Sequence, residues 1–488
     1  MMKKLAVTAS VIAGMLAASF SAFAQEAAVS ESADAPVVIT LEDALKIGLS
    51  ENVSVKVADM EIERTGFAKK GTYAALFPQI DASGSFQRTI KKQVMYMDFD
   101  MGALGGAAGG GSSEGGELPD GVEIPDASAD AGASSNGGGF EVGRWNNWSA
   151  GVSASMPLVN AQLWQSLKLS GLDVELAVEK ARSSRLDMVT QVKNAFYSVL
   201  MAKEAFDVYK QVYENAMQNF AETQKKYDAQ KASEMDLIRA KTTVANAVPN
   251  VYNAESSIIL ALWQLKAVLG VDLDMNLDVA GKLADHAEQM MRDINEGEEM
   301  SLDHNSTMKQ LAIQAEMLAQ SIKVQQYANI PSLAVAFNFS LNAMTNDFKF
   351  NQYRWTPYSF VALSLNIPIF AGGKRHQQIR QAKNQYEQVQ LQVTNTERQL
   401  KIAIRQSIAT METSMKSYYA AQDAVAAAQK GYDITEVSYK VGRSTLIELN
   451  DAQLALTQSR LAESQAIFNF LTAKAQLEQT LGQDFINE

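Results

Sequence analysis

The chain has 488 residues, of which 47% are hydrophobic, and a formal net charge of −12. This acidic balance argues against a nucleic-acid binder that relies on a basic surface. Because the sequence contains no cysteine, it excludes disulfide scaffolds, Cys-ligated zinc, iron–sulfur clusters and thiol nucleophiles.

Residues 1–24 predict an export signal. They combine a charged start at Lys3 and Lys4, an apolar middle and a small-residue cleavage site before Gln25. The alternative is an uncleaved membrane anchor, which fits the cleavage site less well. No other apolar run in the sequence reaches the ~18 residues of a transmembrane helix. We therefore expect an exported protein that spans a membrane only if its strands do so.

The tract that follows predicts helices and then a strand. Thr40 with Asp43 resembles a capping box in which Asp replaces the usual Glu or Gln, and leucines at every fourth residue share one helix face. Asn52 interrupts the helical tract and Pro78 ends it. Apolar and polar side chains then alternate, which predicts a strand over residues 79–90.

Residues 98–144 predict a long loop between two strands. The segment is rich in glycine, and its charges before Glu141 are acidic. Such a segment cannot bury enough apolar surface to offset its ordering entropy. A calcium-binding glycine repeat is the alternative, but it needs an ordered Gly–Asp spacing that the sequence lacks. We expect the loop at the cell exterior.

A second strand over residues 147–157 leads into a long helical hairpin, predicted over residues 160–270. In its returning helix apolar residues fall every seven positions, which indicates a coiled-coil contact. These residues are Leu237, Val244, Val251, Ile258 and Leu265. Pro249 lies among them and should kink the helix or remove one backbone hydrogen bond. An acidic, irregular segment follows at residues 271–300.

Residues 301–488 repeat this order of elements. A helix leads to two strands, predicted over residues 332–343 and 355–368, and then to a second helical hairpin over residues 374–482. The returning helix of this hairpin again carries apolar residues every seven positions. These residues are Ile447, Leu454, Leu461 and Phe468.

The sequence pattern of a strand followed by a proline and a helix occurs twice in the chain. In each copy the strand is expected to end at a proline, Pro157 or Pro368, because proline lacks the N–H that a central strand needs. Gly372 and Gly373 supply the turn after the second proline, and a helix-forming run follows.

The spacing of matching landmarks indicates a duplicated chain. The separations are 253 residues for Asn52/Asn305, 211 for Pro157/Pro368 and 212 for Gly270/Gly482. The separation drops by 253 − 211 = 42 residues, about the size of the Gly-rich loop. We therefore interpret residues 25–270 and 301–488 as two structural repeats, with the loop inserted only in the first.

The strands have the length that crosses a bilayer when tilted, about ten residues. Four strands cannot close a barrel, and an open sheet edge cannot face lipid. Several chains must therefore contribute: two chains would supply eight strands, and three would supply twelve. Each outgoing helix of ~65 residues would be about 100 Å long, which suggests a tube that reaches through the periplasm.

The doubled junction, including LSLNIPIFAGGKRHQQIRQA, and the hairpin YKVGRSTLIELNDAQ at Tyr439–Gln453 resemble the TolC-type outer-membrane efflux protein family. The resemblance covers Leu41–Gly482. It implies a mixed α and β membrane protein: a homotrimer whose twelve strands form one outer-membrane β-barrel, surrounded by outer-membrane lipid. That barrel would continue into a periplasmic α-helical coiled-coil barrel, with residues 271–300 in the equatorial region around its middle.

The same resemblance implies a passive exit duct of a tripartite efflux or type I secretion system. Such a duct lies in the cell outer membrane, extends into the periplasm and has no catalytic chemistry. Its partners are a periplasmic adaptor protein and an inner-membrane transporter of the RND or ABC type. Drugs, metal ions, small metabolites and whole proteins leave through ducts of this family, so the exported substrate is left open.

The resemblance also implies a gate at the periplasmic tip of the hairpins. The matching residues are Asp236, Tyr439, Gly442, Glu448 and Asp451. The family's gate arginine is replaced by Ser444, with Arg443 one place earlier, so a shifted Arg443–Asp236 link is an open expectation.

A threefold ring of Glu448 and Asp451 would place carboxylates at a narrow opening. Such a ring attracts cations and raises the pKa of its own acids through like-charge repulsion. The alternative is that both acids are ordinary solvated helix charges. For Tyr439 and Tyr227 the alternative is simple coiled-coil packing.

Two other classes of protein fit the sequence less well. An enzyme is disfavoured because the sequence has no phosphate-binding Gly-rich loop between strand and helix, no G-x-S-x-G and no H-E-x-x-H. Its three histidines show no metal-ligand spacing, so we expect no cofactor and no metal. A soluble periplasmic coiled-coil adaptor or tether would explain the heptads, but not four membrane-length strands placed in two copies.

Overall fold

The computed structural model describes residues 37–95, 140–286 and 301–483. The predicted signal peptide, most of the predicted Gly-rich loop and the later part of the acidic inter-repeat segment lie outside these residues. None of the helices in the described part combines the length and the apolar content that a bilayer crossing requires.

The elements follow one another in this order in the described part of the chain. The first group is β1 (Val37–Ile39), α1 (Leu41–Glu51), α2 (Val53–Ala74), β2 (Gln79–Arg88), β3 (Gln93–Met95), β4 (Phe140–Val142), β5 (Asn146–Val159), α3 (Ala161–Asp228) and α4 (Glu234–Leu269). The second group is β6 (Leu277–Val279), α5 (Ser306–Tyr327), β7 (Ser332–Thr345), β8 (Thr356–Asn366), α6 (Lys374–Lys440) and α7 (Leu446–Leu481).

The chain divides into two compact units. Among the described residues, the helical unit takes those within 1–66, 172–317 and 385–488, and the sheet unit takes those within 67–171 and 318–384. Each unit draws on both halves of the sequence. The predicted site residues at the hairpin tips belong to the helical unit, and the four long strands belong to the sheet unit.

The sheet unit is built on an antiparallel sheet with the strand order β2-β5-β7-β8. Its four strands begin and end within two residues of the predicted bounds. The register places Trp148 beside Phe86 on β2 and beside Ala343 on β7, so the apolar residues of neighbouring strands share one face. On the other face the hydroxyl groups of Ser85 and Ser149 form a hydrogen bond, with their oxygens 2.7 Å apart.

The two junction prolines differ in their relation to the strands. Pro157 does not end its strand as predicted, because β5 continues to Val159 and Pro157 is paired with Ala334. A register shift between Pro157 and Val159 accommodates the missing N–H, as bulges usually do. Pro368 follows the end of β8 at Asn366.

The turn after the second proline uses left-handed backbone. Gly372 and Gly373 have φ angles of 59° and 79°, a region that glycine enters without a steric penalty. Lys374 then begins α6, and the Gly373 carbonyl accepts a hydrogen bond from the Gln377 amide at 3.2 Å.

The helix α4 buries alanines that the sequence analysis did not single out. Ala240, Ala247, Ala254 and Ala261 are buried at every seventh position. Each of these alanines follows a residue of the predicted Leu237–Leu265 heptad by three positions. The alanines and the predicted residues therefore occupy the two core positions of one heptad repeat. Pro249 lies inside this helix, which is assigned as continuous.

The heptad predicted for α7 is buried only in part within one chain, because Phe468 packs against the core of the helical unit but the first two members do not. Ile447 and Leu454 are 50% and 55% exposed. The buried positions are instead Leu449, Leu456 and Phe470. Because α7 carries apolar residues at two heptad positions, the sequence pattern alone does not decide which of them faces its own chain.

A buried asparagine and a left-handed glycine join the break between α1 and α2 to the end of α4. Asn52 donates from Nδ2 to the Val268 carbonyl at 2.6 Å and accepts from the Ser54 amide at 2.8 Å. Gly270 ends α4 with φ +76°, and a Cβ there would lie 2.8 Å from the Glu51 carbonyl oxygen. The backbone at Gly270 is therefore too close to that of Glu51 and Asn52 to leave room for a side chain at this glycine.

The same contact occurs again between α5 and the end of α7. Asn305 donates from Nδ2 to the Thr480 carbonyl at 2.6 Å and accepts from the Met308 amide at 2.8 Å. Gly482 has φ +72°, and a Cβ there would collide with the carbonyl group of His304. Both contacts lie in the helical unit and orient the start of a short helix against the end of a returning helix.

A small parallel sheet joins the residues before α1 to the segment 271–300, which was expected to be irregular. Strand β1 pairs with β6 over three residues, with Ile39 opposite Val279. These strands join a core that also contains Val192, Phe196 and Leu269. Three-residue strands are too short for an alternation pattern to reveal.

The predicted capping box before α1 is confirmed, because Asp43 and Thr40 exchange hydrogen bonds.

Replacing Gly482 with alanine should lower the thermal unfolding midpoint of the detergent-solubilised protein. The left-handed backbone costs about 1–2 kcal/mol for a residue with a Cβ, and the collision with His304 adds to that. Gly442→Ala is the matched control, because Gly442 has φ +79° but no atom within 4 Å of an added Cβ. Equal losses for both variants would contradict the close approach at Gly482.

Candidate functional site at the hairpin tips

The returning helices α4 and α7 start with the same kind of capping box. At α4 the Asp236 amide donates to Ser233 Oγ at 3.1 Å, and Ser233 Oγ donates to the Asp236 carboxylate at 2.7 Å. At α7 the Glu448 amide donates to Thr445 Oγ1 at 3.3 Å, and the Thr445 amide donates to the Glu448 carboxylate at 2.8 Å. Both candidate acids therefore stabilise the first turn of their own helix.

The Glu448 carboxylate also accepts a short hydrogen bond from Ser444 Oγ. This bond, and then the one from the Thr445 amide, hold the pKa of Glu448 below its ordinary value. Within one chain the effect is opposite to the one expected from a ring of carboxylates. Asp451 lies one turn further along α7 and is exposed, and in the described residues its carboxylate forms no hydrogen bond or ion pair.

Tyr439 is buried at the end of α6, with 8% of its surface exposed. Its phenolic oxygen lies 2.6 Å from Thr223 Oγ1 on α3. Thr223 Oγ1 donates its only hydroxyl proton to the Asn219 carbonyl at 2.7 Å, so the Tyr439 hydroxyl is the donor in the shared bond. The contact therefore joins the outgoing helices of the two hairpins.

Lys226 strengthens the same contact from one turn further along α3. Its ammonium group donates to the Tyr439 carbonyl at 2.6 Å and lies 4.1 Å from the centroid of the Tyr439 ring. A cation at the carboxyl end of a helix is stabilised by the helix dipole, and a cation over an aromatic face by the ring quadrupole. We call Tyr439, Thr223 and Lys226 the Tyr439 contact.

An apolar cluster lies beneath the Tyr439 contact. Its buried members are Ala240, Tyr432, Tyr439, Leu446, Leu449 and Leu456. They come from α4, α6 and α7, so the two hairpins share one core at their tips. Burial, followed by the nearby charge of Glu436, raises the pKa of Tyr432 to about 12, and the phenol stays neutral at physiological pH.

The tip turn of the second hairpin depends on Gly442. Its φ is +79°, and the next amide, that of Arg443, donates to the Ser438 carbonyl at 2.8 Å, as in the usual glycine C-cap. The Arg443 side chain is exposed. Among the described residues of this chain no ion pair joins Arg443 to Asp236, whose carboxylate is bonded to Ser233.

The tip of the first hairpin differs from that of the second. Gln230 takes the left-handed position there, with φ +58°. Tyr227, which matches Tyr439 in the landmark spacing, is 38% exposed. The two hairpins are therefore held unequally, and the buried tyrosine belongs to the second.

The described residues contain no group of three or more His, Asp or Glu side chains arranged to hold a metal ion. The remaining predicted residues, Pro157, Pro368, Gly372 and Gly373, lie at the strand ends of the sheet unit. They shape the junction between strand and helix, and the site at the hairpin tips does not include them.

Comparison with known proteins identifies the family. The family model described as outer membrane efflux protein matches residues 125–271 and 299–483. The chain belongs to this family. Its membership places the protein in the cell outer membrane, extending into the periplasm, and family members are channels without enzymatic activity.

Individual relatives are distant but cover most of the chain. The outer membrane protein TolC of Escherichia coli (strain K12) is 20% identical over 347 residues, which are 69% of this chain and 70% of that protein. The proteases secretion protein PrtF of Dickeya chrysanthemi is 21% identical over 349 residues, 69% of this chain and 73% of that protein.

The fold matches solved outer membrane channels. The crystal structure of the Campylobacter jejuni CmeC outer membrane channel aligns with a TM-score of 0.66 at 16% identity. The alignment covers 91% of this chain and 85% of that channel. The mixed α and β fold of the chain is therefore that of this class of channel.

Replacing Tyr439 with phenylalanine should loosen the tips of α3 and α6 without disturbing the apolar cluster. The loss of one buried hydrogen bond, ~1–3 kcal/mol, should speed local amide exchange about fivefold or more. Hydrogen exchange of the last turns of α3 and α6 measures this. Tyr227→Phe is the matched control and should change nothing, because Tyr227 is exposed and its hydroxyl has no hydrogen bond in the described residues. Faster exchange in both variants would contradict the role of the Tyr439 contact.

Proposed function

We propose that the protein is a passive outer-membrane exit duct of a tripartite efflux or type I secretion system, gated at its periplasmic hairpin tips. The observation that carries the proposal is the Tyr439 contact, a buried contact between hairpins beside exposed acids. The family model named for efflux and the relative named for protease secretion support both kinds of system. The duct would work with a periplasmic adaptor and an inner-membrane transporter, and it would export small molecules or proteins.

The duct would be a homotrimer with a twelve-stranded β-barrel. Strands β2 and β8 are the edges of the sheet, and an unpaired edge is not tolerated in lipid. Pairing β8 of one chain with β2 of the next would satisfy both edges. Large apolar residues exposed on one face of the sheet support a lipid-facing surface, among them Ile80, Val361 and Leu363 at 70%, 71% and 66% exposure.

The two structural repeats, residues 25–270 and 301–488, are part of this proposal. The paired Asn–Gly contacts and the paired capping boxes support a duplication. Asp236 and Glu448 are separated by 448 − 236 = 212 residues, as are Gly270 and Gly482. Repeated hairpins in three chains would line one continuous α-helical barrel.

The gate would close where the second hairpins approach the threefold axis. Asp451 and Glu448 are exposed at the tip, so three chains could form a ring of six carboxylates that selects cations. The Tyr439 contact would hold each hairpin in its closed position. Arg443 is exposed beside this ring and could pair with an acid of a neighbouring chain.

The proposed assembly can be tested first. Envelope fractionation should find the mature protein in the outer membrane, and light scattering of the detergent-solubilised species should give the mass of three chains. The reason is that four strands from one chain leave two unpaired edges. A monomer or dimer in the soluble periplasm would instead support a soluble coiled-coil tether.

Removing the tip acids should change ion selectivity. The double variant Glu448→Gln, Asp451→Asn keeps a capping residue at α7 but removes the negative charge, so the ratio of cation to anion permeability in single-channel recordings should fall several-fold. Asp423→Asn on α6 is the control, because it removes an exposed charge about 25 Å along the helix from the tip. An unchanged ratio in the double variant would place both acids outside the pore.

A further inference from the structure

The apolar face of the four-stranded sheet becomes aromatic towards the loop ends of its strands. Val152, Phe339 and Val361 are exposed along the middle of this face. Near the end of β2, Phe86 pairs with Trp148 on β5, and their ring centroids are 4.2 Å apart. The opposite ends of these strands lead into the long helices through the proline junctions.

The loop from 346 to 355 folds against this aromatic pair. The Phe350 ring lies 4.6 Å from Trp148, and the Tyr353 ring lies 4.9 Å from Phe350. The Tyr353 hydroxyl donates to the Asp347 carbonyl at 2.8 Å, which holds the loop in this conformation. The result is a packed band of aromatic rings on the apolar face.

Cationic side chains lie beyond this band, at the loop end of the sheet. They are Arg88, Lys91, Lys92, Arg144, Lys349 and Arg354. Asp347 is the acid among the side chains that the structure describes in this region, whereas the whole chain carries a net charge of −12. The described side chains at this end of the sheet unit are therefore mostly cationic, and the acids of the segment between β3 and β4 lie outside the described residues.

Two of the cations are placed over aromatic rings. The Arg88 guanidinium lies 5.6 Å from the centroid of the Phe348 ring, and the Lys92 ammonium lies 4.9 Å from that of Trp145. A ring covers one face of a guanidinium and leaves its N–H edge available. In the described residues Arg88, Lys349 and Arg354 form no ion pair with a carboxylate, so their charges are available to a ligand.

Apolar, aromatic and cationic residues follow one another from the middle of the sheet to its loop end, which is the order of chemistry across one leaflet of a membrane. Acyl chains contact apolar residues, aromatic residues prefer the interface, and lipid phosphates attract lysine and arginine. Guanidinium groups match phosphate oxygens with two parallel hydrogen bonds. Soluble partners would not require the apolar and aromatic bands next to the charges.

We propose that Arg88, Lys349 and Arg354, with the aromatic band beneath them, bind the phosphate groups of phosphorylated lipids in the leaflet at the loop end of the sheet. The inference rests on the proposed function, because it requires the apolar face of the barrel to contact lipid. With the helices in the periplasm, this leaflet is the outer leaflet of the outer membrane. The lipid is recognised by its phosphates, and the contact fixes the height of the barrel in the bilayer.

The triple variant Arg88→Gln, Lys349→Gln, Arg354→Gln tests this site. The trimer is placed in nanodiscs of phosphatidylcholine, a zwitterion whose phosphate is neutralised by its own choline, with or without lipid A, a glycolipid with two anionic phosphates. Lipid A should raise the Tm of the wild type because a ligand of the native state stabilises it. The triple variant should lose most of that rise and have the wild-type Tm in phosphatidylcholine alone. The control Lys374→Gln, Arg380→Gln, Lys383→Gln removes equal charge from exposed positions of α6 and should keep the rise.

Three results would overturn the proposal while leaving the duct intact. The first is an undiminished rise in the triple variant. The second is a lower Tm of the triple variant in phosphatidylcholine alone with the rise preserved, which would assign the cations to contacts within the protein. The third is loss of the rise on adding inorganic phosphate at unchanged ionic strength, which would indicate a site for soluble phosphate. Failure of the wild type to insert as a trimer in either nanodisc would refute the proposed function, and this inference with it.

Discussion

The helical unit depends on two places where backbone meets backbone with no room for a side chain. Gly270 and Gly482 end the returning helices in the left-handed conformation, and each lies against the residue before a buried asparagine. The asparagine amide then satisfies a carbonyl at the helix end and an amide at the start of the next helix. Both contacts are buried and directional, so they fix the orientation at which a short helix enters the core. Apolar packing alone would leave that orientation unspecified.

The hairpin tips are stabilised differently from the region around the two Asn–Gly contacts. Their apolar cluster is small, and the Tyr439 contact joins helices through one hydroxyl, one ammonium and one aromatic ring. Regions with few buried contacts open locally at lower free energy than the core does. The helical unit therefore combines a well-buried core with tips that a few polar groups hold, which is the distribution that a gated duct would require.

The sequence predicts the four long strands and the start of each helical hairpin because alternation and capping residues act locally. It fails where the outcome depends on a distant neighbour. Pro157 lies within its strand because a register shift opposite β7 accommodates the missing N–H. The helix α7 buries Leu449 instead of Ile447 because of the helices that pack beside it. The alanines of α4 are too small to form a visible pattern. Thr223 is 216 residues from its partner Tyr439, so nothing in the local sequence connects them.

The Tyr439 contact has a statistical consequence for a threefold assembly. Its two hydrogen bonds, one of them from a charged donor, contribute about 2–4 kcal/mol. At about 2.7 kcal/mol a single hairpin would be released about one part in a hundred of the time. If the three hairpins move independently, all three are released together about one part in a million. In such an assembly a weak contact repeated by symmetry would keep the proposed opening closed almost all the time, while each hairpin alone would remain easy to displace.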